Sequence, residues 1–239
     1  AEKCAVDYCI DRESQDEYAL QSYARAKEAN DRDLVREEIV PVQGPAAKKG
    51  APPVVFEKDE EYSKVIIEKV PKLKPAFVHD GTGTVTPANS SPISDGAAAL
   101  VLSSVDRAEA LGKTPLARIL SYADAEQKPE DFTTAPAKAV PIALKRAGIN
   151  VSDVDVFEIN EAFAVVARAN AKLLGIDENK LNVLGGAVAL GHPLGASGAR
   201  IIVTLLNALR VRKGKIGVAA ICNGGGGSTA VVLELLENQ

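Results

Sequence analysis

The chain has 239 residues, of which 46% are hydrophobic and 25% are charged, a composition typical of a globular protein with one or two domains. A formal net charge of -4, with the basic residues scattered along the chain, argues against a nucleic-acid-binding protein. No apolar run reaches membrane-spanning length, so we expect no membrane partner. The three cysteines and two histidines lack metal-ligand spacing, which predicts free thiols in a reducing compartment and no zinc site.

The first third of the chain predicts a helix followed by loops. The opening residues indicate a mostly exposed helix with Asp11 as its N-cap and with Ala19, Tyr23 and Ala26 along one face. Residues 38–91 are rich in proline, lysine and glycine, which predicts a loop-dominated region. The sequence contains no methionine, even at its first residue. We therefore expect the chain to be the C-terminal part of a longer protein.

A regular alternation of strands and helices begins near residue 97 and indicates an α/β protein. "SDGAAALVL" at Ser94 and "CNGGGGSTAVVL" at Cys222 both place small residues before an apolar strand, which suggests two related halves packed as layers. The predicted strands are 97–102, 115–125, 154–159, 182–190, 216–221 and 230–236, and the predicted helices are 106–111, 137–147, 161–174 and 197–212.

The stretch "VAAICNGGGGSTAVVLELL" places Cys222 between an apolar run and four glycines. A flexible linker is the alternative, but linkers lack the dense apolar flanks seen on both sides here. The pattern instead predicts two buried strands joined by a tight glycine turn. Glycines leave backbone N–H groups free to point at a ligand. Cys222 would therefore stand at a rigid strand end beside hydrogen-bond donors.

The stretch "GGAVALGHPLGASGAR" surrounds His192 with glycines and a proline. Its glycines match neither the dinucleotide fingerprint nor the phosphate loop, so nucleotide binding of those kinds is not expected. A lone histidine is about as often a structural, hydrogen-bonded residue as a functional one. The crowded loop favours a fixed imidazole, which a general base requires.

In "VFEINEAFAVVARANAKLLG", Asn160 follows an apolar strand and precedes a helix. An N-cap is the common use of asparagine at such a place. A carboxamide at a strand end can also orient a water molecule or donate to a developing oxyanion. Both interpretations stay open on this motif alone.

Together, N-E-A-F, G-H-P-L-G-A-S-G-A-R and C-N-G-G-G-G, in this order, closely resemble the thiolase family. "GTVTPANSSPISDGAAALVL" extends the resemblance over essentially the whole chain, and the four-glycine form is most similar to eukaryotic acetoacetyl-CoA thiolases. The resemblance implies an α/β fold, an αβαβα layered sandwich. Residues 1–92 would be a partial loop domain, 93–115 the tail of the N-terminal half and 116–239 the C-terminal half.

The resemblance also implies an acetyl-CoA C-acetyltransferase that joins two acetyl-CoA molecules reversibly into acetoacetyl-CoA and coenzyme A. Cys222, as a thiolate, would be the acid/base that removes the α-proton. His192 would activate the nucleophilic cysteine and help to bind the thioester oxygen, and Asn160 would hold a water at that oxyanion site. The Gly224 N–H would serve a second oxyanion hole.

The family's nucleophilic cysteine lies upstream of the matched region, and neither Cys4 nor Cys9 has its context. The resemblance therefore implies that the nucleophile-bearing half is missing and that the isolated chain is inactive. Two alternatives stay open: a 3-ketoacyl-CoA thiolase for longer chains, and a catalytically silent acyl-CoA-binding protein.

The resemblance also implies ligands and partners. Coenzyme A esters would be substrates, no cofactor is expected, and potassium would bind, if anywhere, near Tyr62, although Pro87 departs from the family's usual alanine. The protein would form a homodimer or homotetramer in the cytosol or the mitochondrial matrix. The pantetheine channel would be lined by Leu73, Ala76, Phe77, Ala88, Ser91, Ala162 and Phe163.

Overall fold

The computed structural model of the chain describes residues 1–46, 48 and 50–236. Two helices open it, α1 (Glu2–Tyr8) and α2 (Arg12–Asp31), and they are separated by Cys9 in a left-handed backbone conformation. Asp11 caps α2 as predicted, because its side chain accepts the backbone N–H of Ser14 at 2.8 Å.

Helix α2 is more buried than the sequence predicted. Tyr18, Ala19 and Ala26 are all removed from solvent, because the helix packs against two later helices, α5 (Ala164–Leu174) and α6 (Ala187–Leu190). The many charged residues of α2 predicted an exposed helix, because the helices that cover it lie far along the chain and leave no signal in its own sequence. Helix α2 instead forms one wall behind the site described below.

The predicted loop-dominated region is confirmed in large part. Its regular structure is a two-stranded hairpin of β1 (Val42–Ala46) and β2 (Pro53–Phe56) with short 3-10 turns after it. The predicted strand at 97–102 is wrong, since that segment has no regular structure and Val101 is 98% exposed. A strand needs a neighbour for its backbone groups. Within the described residues, the segment joins no sheet. The predicted second half, built around a strand at 97–102, therefore has no layered sheet of its own there.

After the short helix α3 (Val105–Ala110), the chain builds a four-stranded sheet in the order β3-β6-β5-β4. Strands β4 and β5 run parallel, with Ile159 opposite Ala220, and the other pairs are antiparallel. The carboxyl ends of β4 and β5 therefore meet at one edge, where Asn160 follows β4 and Cys222 is the last residue of β5. The strands are β3 (Ala117–Glu126), β4 (Val156–Ile159), β5 (Ile216–Cys222) and β6 (Gly227–Leu235).

Helices cover both faces of this sheet, which confirms the α/β prediction. Helix α4 (Pro136–Ala147) packs against β3 and β6 with α5 beside it, and α7 (Ser197–Arg212) covers β4 and β5 on the other face. Alternate strand residues enter the two cores: Val218 and Ala220 face α4, whereas Ala219 faces α7. Helix α5 begins at Ala164, later than the predicted start at 161.

The predicted strand at 182–190 is also wrong. Gly185 has a φ of 86°, which a strand does not allow, and the segment ends in helix α6. The segment docks through a side chain, because the Asn182 carboxamide accepts from Ile159 N–H and donates to Ile159 C=O. The Asn182 side chain thus pairs with the backbone of β4 as a neighbouring strand would, and it fixes the segment that leads to His192.

We expect Leu205→Ala to lower the free energy of unfolding by about 2–5 kcal/mol, because the side chain is fully buried between α7 and the sheet. Val101→Ala is the matched control, and its exposed side chain should leave stability within about 0.5 kcal/mol of the parent. Urea unfolding of the 239-residue chain measures both. A large loss in the control would show that residues 97–102 are packed after all.

Candidate active site

A pocket of about 790 Å³ opens at the edge where β4 and β5 end, a size within the range of small-molecule sites. It brings together most of the residues predicted from the sequence: Ala76, Phe77, Ser91, Ala162, Phe163, His192, Cys222 and Gly224. The sequence analysis did not identify Phe132, Leu194, Ile221 and Thr229, which also line the pocket. Segments far apart along the chain thus converge on one cavity.

Four predicted residues do not line this pocket. Asn160 lies behind its wall and is 1% exposed, while Ala88 is buried and Leu73 is half-buried. Tyr62 is half-buried in the 3-10 helix Glu61–Ser63, which packs against α2 and α6. Of these four, Asn160 has a side-chain hydrogen bond to a pocket residue, His192.

The apolar wall of the pocket is built from two loops. Phe77 and Phe163 meet edge to face, with ring centroids 6.4 Å apart and an interplanar angle of 74°. Ser91 ties the loops together, because its N–H and its hydroxyl both donate to the Ala162 carbonyl, at 3.1 and 3.0 Å. Phe77 is nevertheless 62% exposed, so this wall offers apolar surface to a ligand.

His192 is held by hydrogen bonds at both ring nitrogens. Nδ1 lies 2.6 Å from Ser197 Oγ, and the Ser197 hydroxyl donates to the Pro193 carbonyl at 3.1 Å. The serine oxygen is therefore the acceptor of an Nδ1–H donor, which leaves Nε2 as the basic nitrogen. The Asn160 Nδ2 group lies 3.3 Å from that Nε2. This network assigns the tautomer that a general base requires.

The surroundings of His192 also keep the imidazole neutral. Burial of the ring lowers its pKa below the ordinary value, and the positive charge of Arg200 lowers it further. A neutral imidazole near pH 7 can accept a proton at Nε2. The electrostatics therefore agree with the hydrogen-bond geometry.

Cys222 is the last residue of β5 and is 9% exposed. Burial raises the pKa of its thiol to about 11. The resting residue is therefore a protonated thiol, and the thiolate that the resemblance implies would form during proton transfer. A thiol with such a pKa is a proton donor first, and it becomes a base only after it has given its proton away.

The turn after Cys222 is organised by Asn223. Its side-chain oxygen accepts the N–H groups of Gly225 and Gly227, at 3.0 and 3.3 Å, and its own N–H donates to the Gly227 carbonyl. Among the described residues, the Gly224 N–H has no acceptor, and Gly224 lines the pocket. The Gly224 N–H is therefore available as a hydrogen-bond donor at the pocket lining.

Ser197 and Asn223 shape the candidate site, and the sequence analysis assigned neither of them a role. Ser197 begins α7 five residues after His192, and a serine at a helix start reads first as a cap. Asn223 stands out in the sequence only as part of the family motif. Side-chain acceptors next to a glycine run or beside a candidate histidine are the signals that could have identified them.

Models of the thiolase domains match nearly the whole described chain. The C-terminal domain model matches residues 113–235, and the N-terminal domain model matches residues 1–106. The chain belongs to the thiolase family. Residues of both thiolase domains are therefore present, and the resemblance seen in the sequence is confirmed.

Relatives and solved structures agree with this family. The chain is 59% identical to a probable acetyl-CoA acetyltransferase of Dictyostelium discoideum, over 98% of the chain and 55% of the relative. It is 57% identical to acetyl-CoA acetyltransferase 1 of Arabidopsis thaliana, over 100% of the chain and 57% of the relative. The crystal structure of Acat5 thiolase from Ascaris suum, in complex with coenzyme A, superposes with a TM-score of 0.90 at 48% identity, over 98% of the chain and 59% of that structure.

The thiolase-like fold predicted from the sequence is thus confirmed, and the chain spans between half and two thirds of the length of these relatives. Other relatives carry the words cytosolic or mitochondrial in their names. Over the part of the chain that the structure describes, no helix has the length and apolar character to cross a bilayer. The same residues hold no cluster of three or more His, Cys, Asp or Glu suited to a metal ion.

Two glycines of the Cys222 turn should respond differently to alanine. A Cβ at Gly226, where φ is 95°, would overlap the Gln127 carbonyl, whereas a Cβ at Gly224 meets open space. Gly226→Ala should cost about 1–3 kcal/mol of unfolding free energy, and Gly224→Ala should leave it nearly unchanged. Thermal melts of both variants make the comparison, and equal melting temperatures would contradict the described turn.

The thiol of Cys222 should alkylate slowly at neutral pH. Because only the thiolate reacts, its rate with iodoacetamide should keep rising from about pH 7 to about pH 10, in keeping with a pKa of about 11. Exposed Cys9 should be modified first at about pH 7.5. Mass spectrometry of tryptic peptides assigns each site. A plateau of the Cys222 rate below about pH 9 would show that its thiol is not buried as described.

Proposed function

We propose that this protein is an acetyl-CoA C-acetyltransferase, which interconverts acetoacetyl-CoA plus coenzyme A with two acetyl-CoA molecules. One observation supports this proposal above all. The pocket holds a neutral imidazole paired with a carboxamide on one side and a protonated thiol beside a free backbone N–H on the other. Claisen chemistry on thioesters needs such a pair: one site for the carbonyl oxygen and one acid/base for the α-carbon.

The cleavage direction shows how the proposed roles balance. A nucleophilic thiolate attacks C3 of acetoacetyl-CoA, the C2–C3 bond breaks, and its electron pair forms the enolate of acetyl-CoA. Cys222 Sγ gives its proton to C2 of that enolate and becomes a thiolate. This thiolate takes the proton from the thiol of incoming coenzyme A, whose sulfur then attacks the acetyl group and releases the nucleophile. Both cysteines return to their starting states.

His192 and Asn160 serve the carbonyl oxygen in this proposal. His192 Nε2 takes the proton of the nucleophilic thiol, and the resulting N–H donates a hydrogen bond to the thioester oxygen. The same proton returns to the nucleophilic thiolate when the acetyl group has left it. The buried Asn160 Oδ1 has no hydrogen-bond partner among the described residues, which supports the predicted role of Asn160 in holding a water there. The Gly224 N–H would bind the oxygen of the acetyl group during transfer.

The apolar wall suits the pantetheine arm of coenzyme A. Phe77, Phe163 and Ala162 present a strip of apolar surface that leads to His192 and Cys222. Leu73 and Ala88 lie off the pocket surface, so we propose that they support the channel from behind.

The nucleophilic thiol is not one of the pocket residues described here. Cys4 is buried in an apolar cluster with Ile10 and Val165, and exposed Cys9 ends helix α1. Neither lines the pocket. We therefore expect that the 239 residues by themselves do not turn over acetoacetyl-CoA.

Two alternatives differ from this proposal in what they require. A thiolase for longer chains needs the same pocket with room for an acyl tail. A silent acyl-CoA-binding protein needs the apolar wall but no proton transfer, and the assigned His192 tautomer favours catalysis over it. The relatives' names favour the four-carbon substrate.

Assembly and ions remain proposals that rest on the resemblance. Ile119 and Tyr122 on the edge strand β3 are exposed apolar side chains, which supports a homodimer or homotetramer. The cytosol and the mitochondrial matrix both remain candidate compartments. A potassium ion near Tyr62 would lie beside α6, the helix that leads to His192.

The decisive experiment measures each half-reaction in the full gene product. His192→Ala should slow acetylation of the nucleophile by about 10²–10⁴-fold in rapid-quench assays, because general-base help is lost. Cys222→Ser should instead nearly abolish exchange of the α-protons of acetyl-CoA with deuterated water. Cys9→Ser is the matched control, and it should keep the parental rates because Cys9 lies outside the pocket.

The parental protein separates the alternatives. Equal kcat/KM for acetoacetyl-CoA and a long-chain 3-ketoacyl-CoA would support the degradative enzyme. Tight coenzyme A binding without any turnover would support the silent protein. The acid limb of the acetylation rate should have its midpoint below about pH 6.5, the ordinary imidazole value, because burial and the charge of Arg200 lower the pKa of His192.

A further inference from the structure

Glu161 is a buried acid that the proposed reaction does not use. It directly follows Asn160, it is 0% exposed, and it lies between β4 and α2, behind the pocket. Buried carboxylates are costly unless every lone pair is satisfied. We therefore expect hydrogen-bond donors around both carboxylate oxygens of Glu161.

Both oxygens of Glu161 are fully occupied by donors. Oε1 accepts from the Tyr18 hydroxyl at 2.8 Å and from the Asn182 side-chain amide at 3.0 Å. Oε2 accepts from the Ser22 hydroxyl at 2.8 Å and from the Val188 backbone N–H at 3.0 Å. A carboxylate accepts all four bonds, whereas a carboxamide would turn an N–H₂ group toward other donors.

The donors belong to two parts of the chain that the network connects. Tyr18 and Ser22 lie on α2, while Asn182 and Val188 lie on the segment that leads to His192. Ser22 Oγ also accepts the Gly186 N–H at 3.1 Å, which adds a second link. The segment 182–188 is thus anchored to the residue next to Asn160.

The backbone at Gly186 lies too close to Glu161 for any side chain at that position. A Cβ at Gly186 would lie 2.5 and 2.6 Å from the two carboxylate oxygens. Only glycine leaves room for the carboxylate there. The close fit indicates that the carboxylate of Glu161 sets the spacing between its own segment and the segment 182–188.

We infer that Glu161 is a positioning residue that sets the spacing between Asn160 and His192, by bonding the Val188 N–H while it is itself joined to Asn160. Helix α6 ends at Leu190, and His192 follows two residues later, so a shift at Val188 is carried to the imidazole. The spacing at stake is the 3.3 Å between Asn160 Nδ2 and His192 Nε2. The expected effect on catalysis rests on the proposed function, whereas the effect on the distance between Asn160 and His192 does not.

Glu161→Gln in the full gene product tests this role. We expect kcat for acetoacetyl-CoA cleavage to fall about 10–100-fold, as a displacement near 1 Å at a reacting group does, with KM changed less than about threefold. Ser22→Ala removes one donor and the Gly186 link, and it should cost about 3–10-fold. Glu178→Gln is the matched control: it removes a carboxylate that pairs with Arg168 outside the site, and it should keep the parental kcat.

A double-mutant cycle separates positioning from general stability. If Glu161 acts through the Asn160–His192 pair, Glu161→Gln should cost less than about twofold in an Asn160→Ala background. Independent, additive losses would overturn the inference. If Glu161→Gln does not fold, the same cycle is run with Ser22→Ala, and additive losses in that cycle would likewise contradict the positioning role of Glu161.

A crystal structure of Glu161→Gln supplies a readout without activity. We expect the Asn160 Nδ2 to His192 Nε2 distance to lengthen by about 0.5–1 Å, a displacement of the size that catalytic geometry does not tolerate. An unchanged distance would overturn the inference even in an inactive protein. A parental protein without thiolysis activity would instead refute the proposed function and leave this distance as the test of Glu161.

Discussion

The parallel pairing of β4 and β5 is the constraint on which the candidate site depends. Ile159 lies opposite Ala220, so both strands end at the same edge of the sheet, with Asn160 just after β4 and Cys222 at the end of β5. Burial on both faces of the sheet, by α4 and α7, makes a slip of register costly, because each strand would exchange its two sets of core residues. The site is therefore located by hydrophobic packing.

Buried polar groups then orient what the sheet brings together. Asn182 holds its loop to β4 through the backbone of Ile159, and Glu161 holds the same loop to α2. Ser197 and Asn223 have comparable roles for the imidazole and for the glycine turn. Each of these side chains satisfies backbone or ring donors that irregular segments leave without partners. Polar networks thus replace regular structure where the chain must approach the pocket.

The same burial sets the protonation states at the site. Removal from water raises the pKa of the Cys222 thiol and lowers that of His192, because in each case the charged form loses solvation. The two groups consequently rest in their neutral forms, one as an acid and the other as a base. A polar, open site with the same two residues would place their pKa values closer to ordinary values, so the low-dielectric setting is part of the chemistry.

Periodicity and motif order by themselves determined the α/β class, most of the helices and strands after residue 104, the Asp11 cap and the family. Those features depend on local patterns: the apolar run of β5, the apolar face of α7, and turn glycines. Only the tertiary structure decided that residues 97–102 form no strand and that 182–190 forms a loop and α6, because strand formation depends on a distant partner. It also decided the thiol state of Cys222 and the tautomer of His192. Both follow from burial and from hydrogen bonds that the fold creates, including those of Ser197 and Asn160.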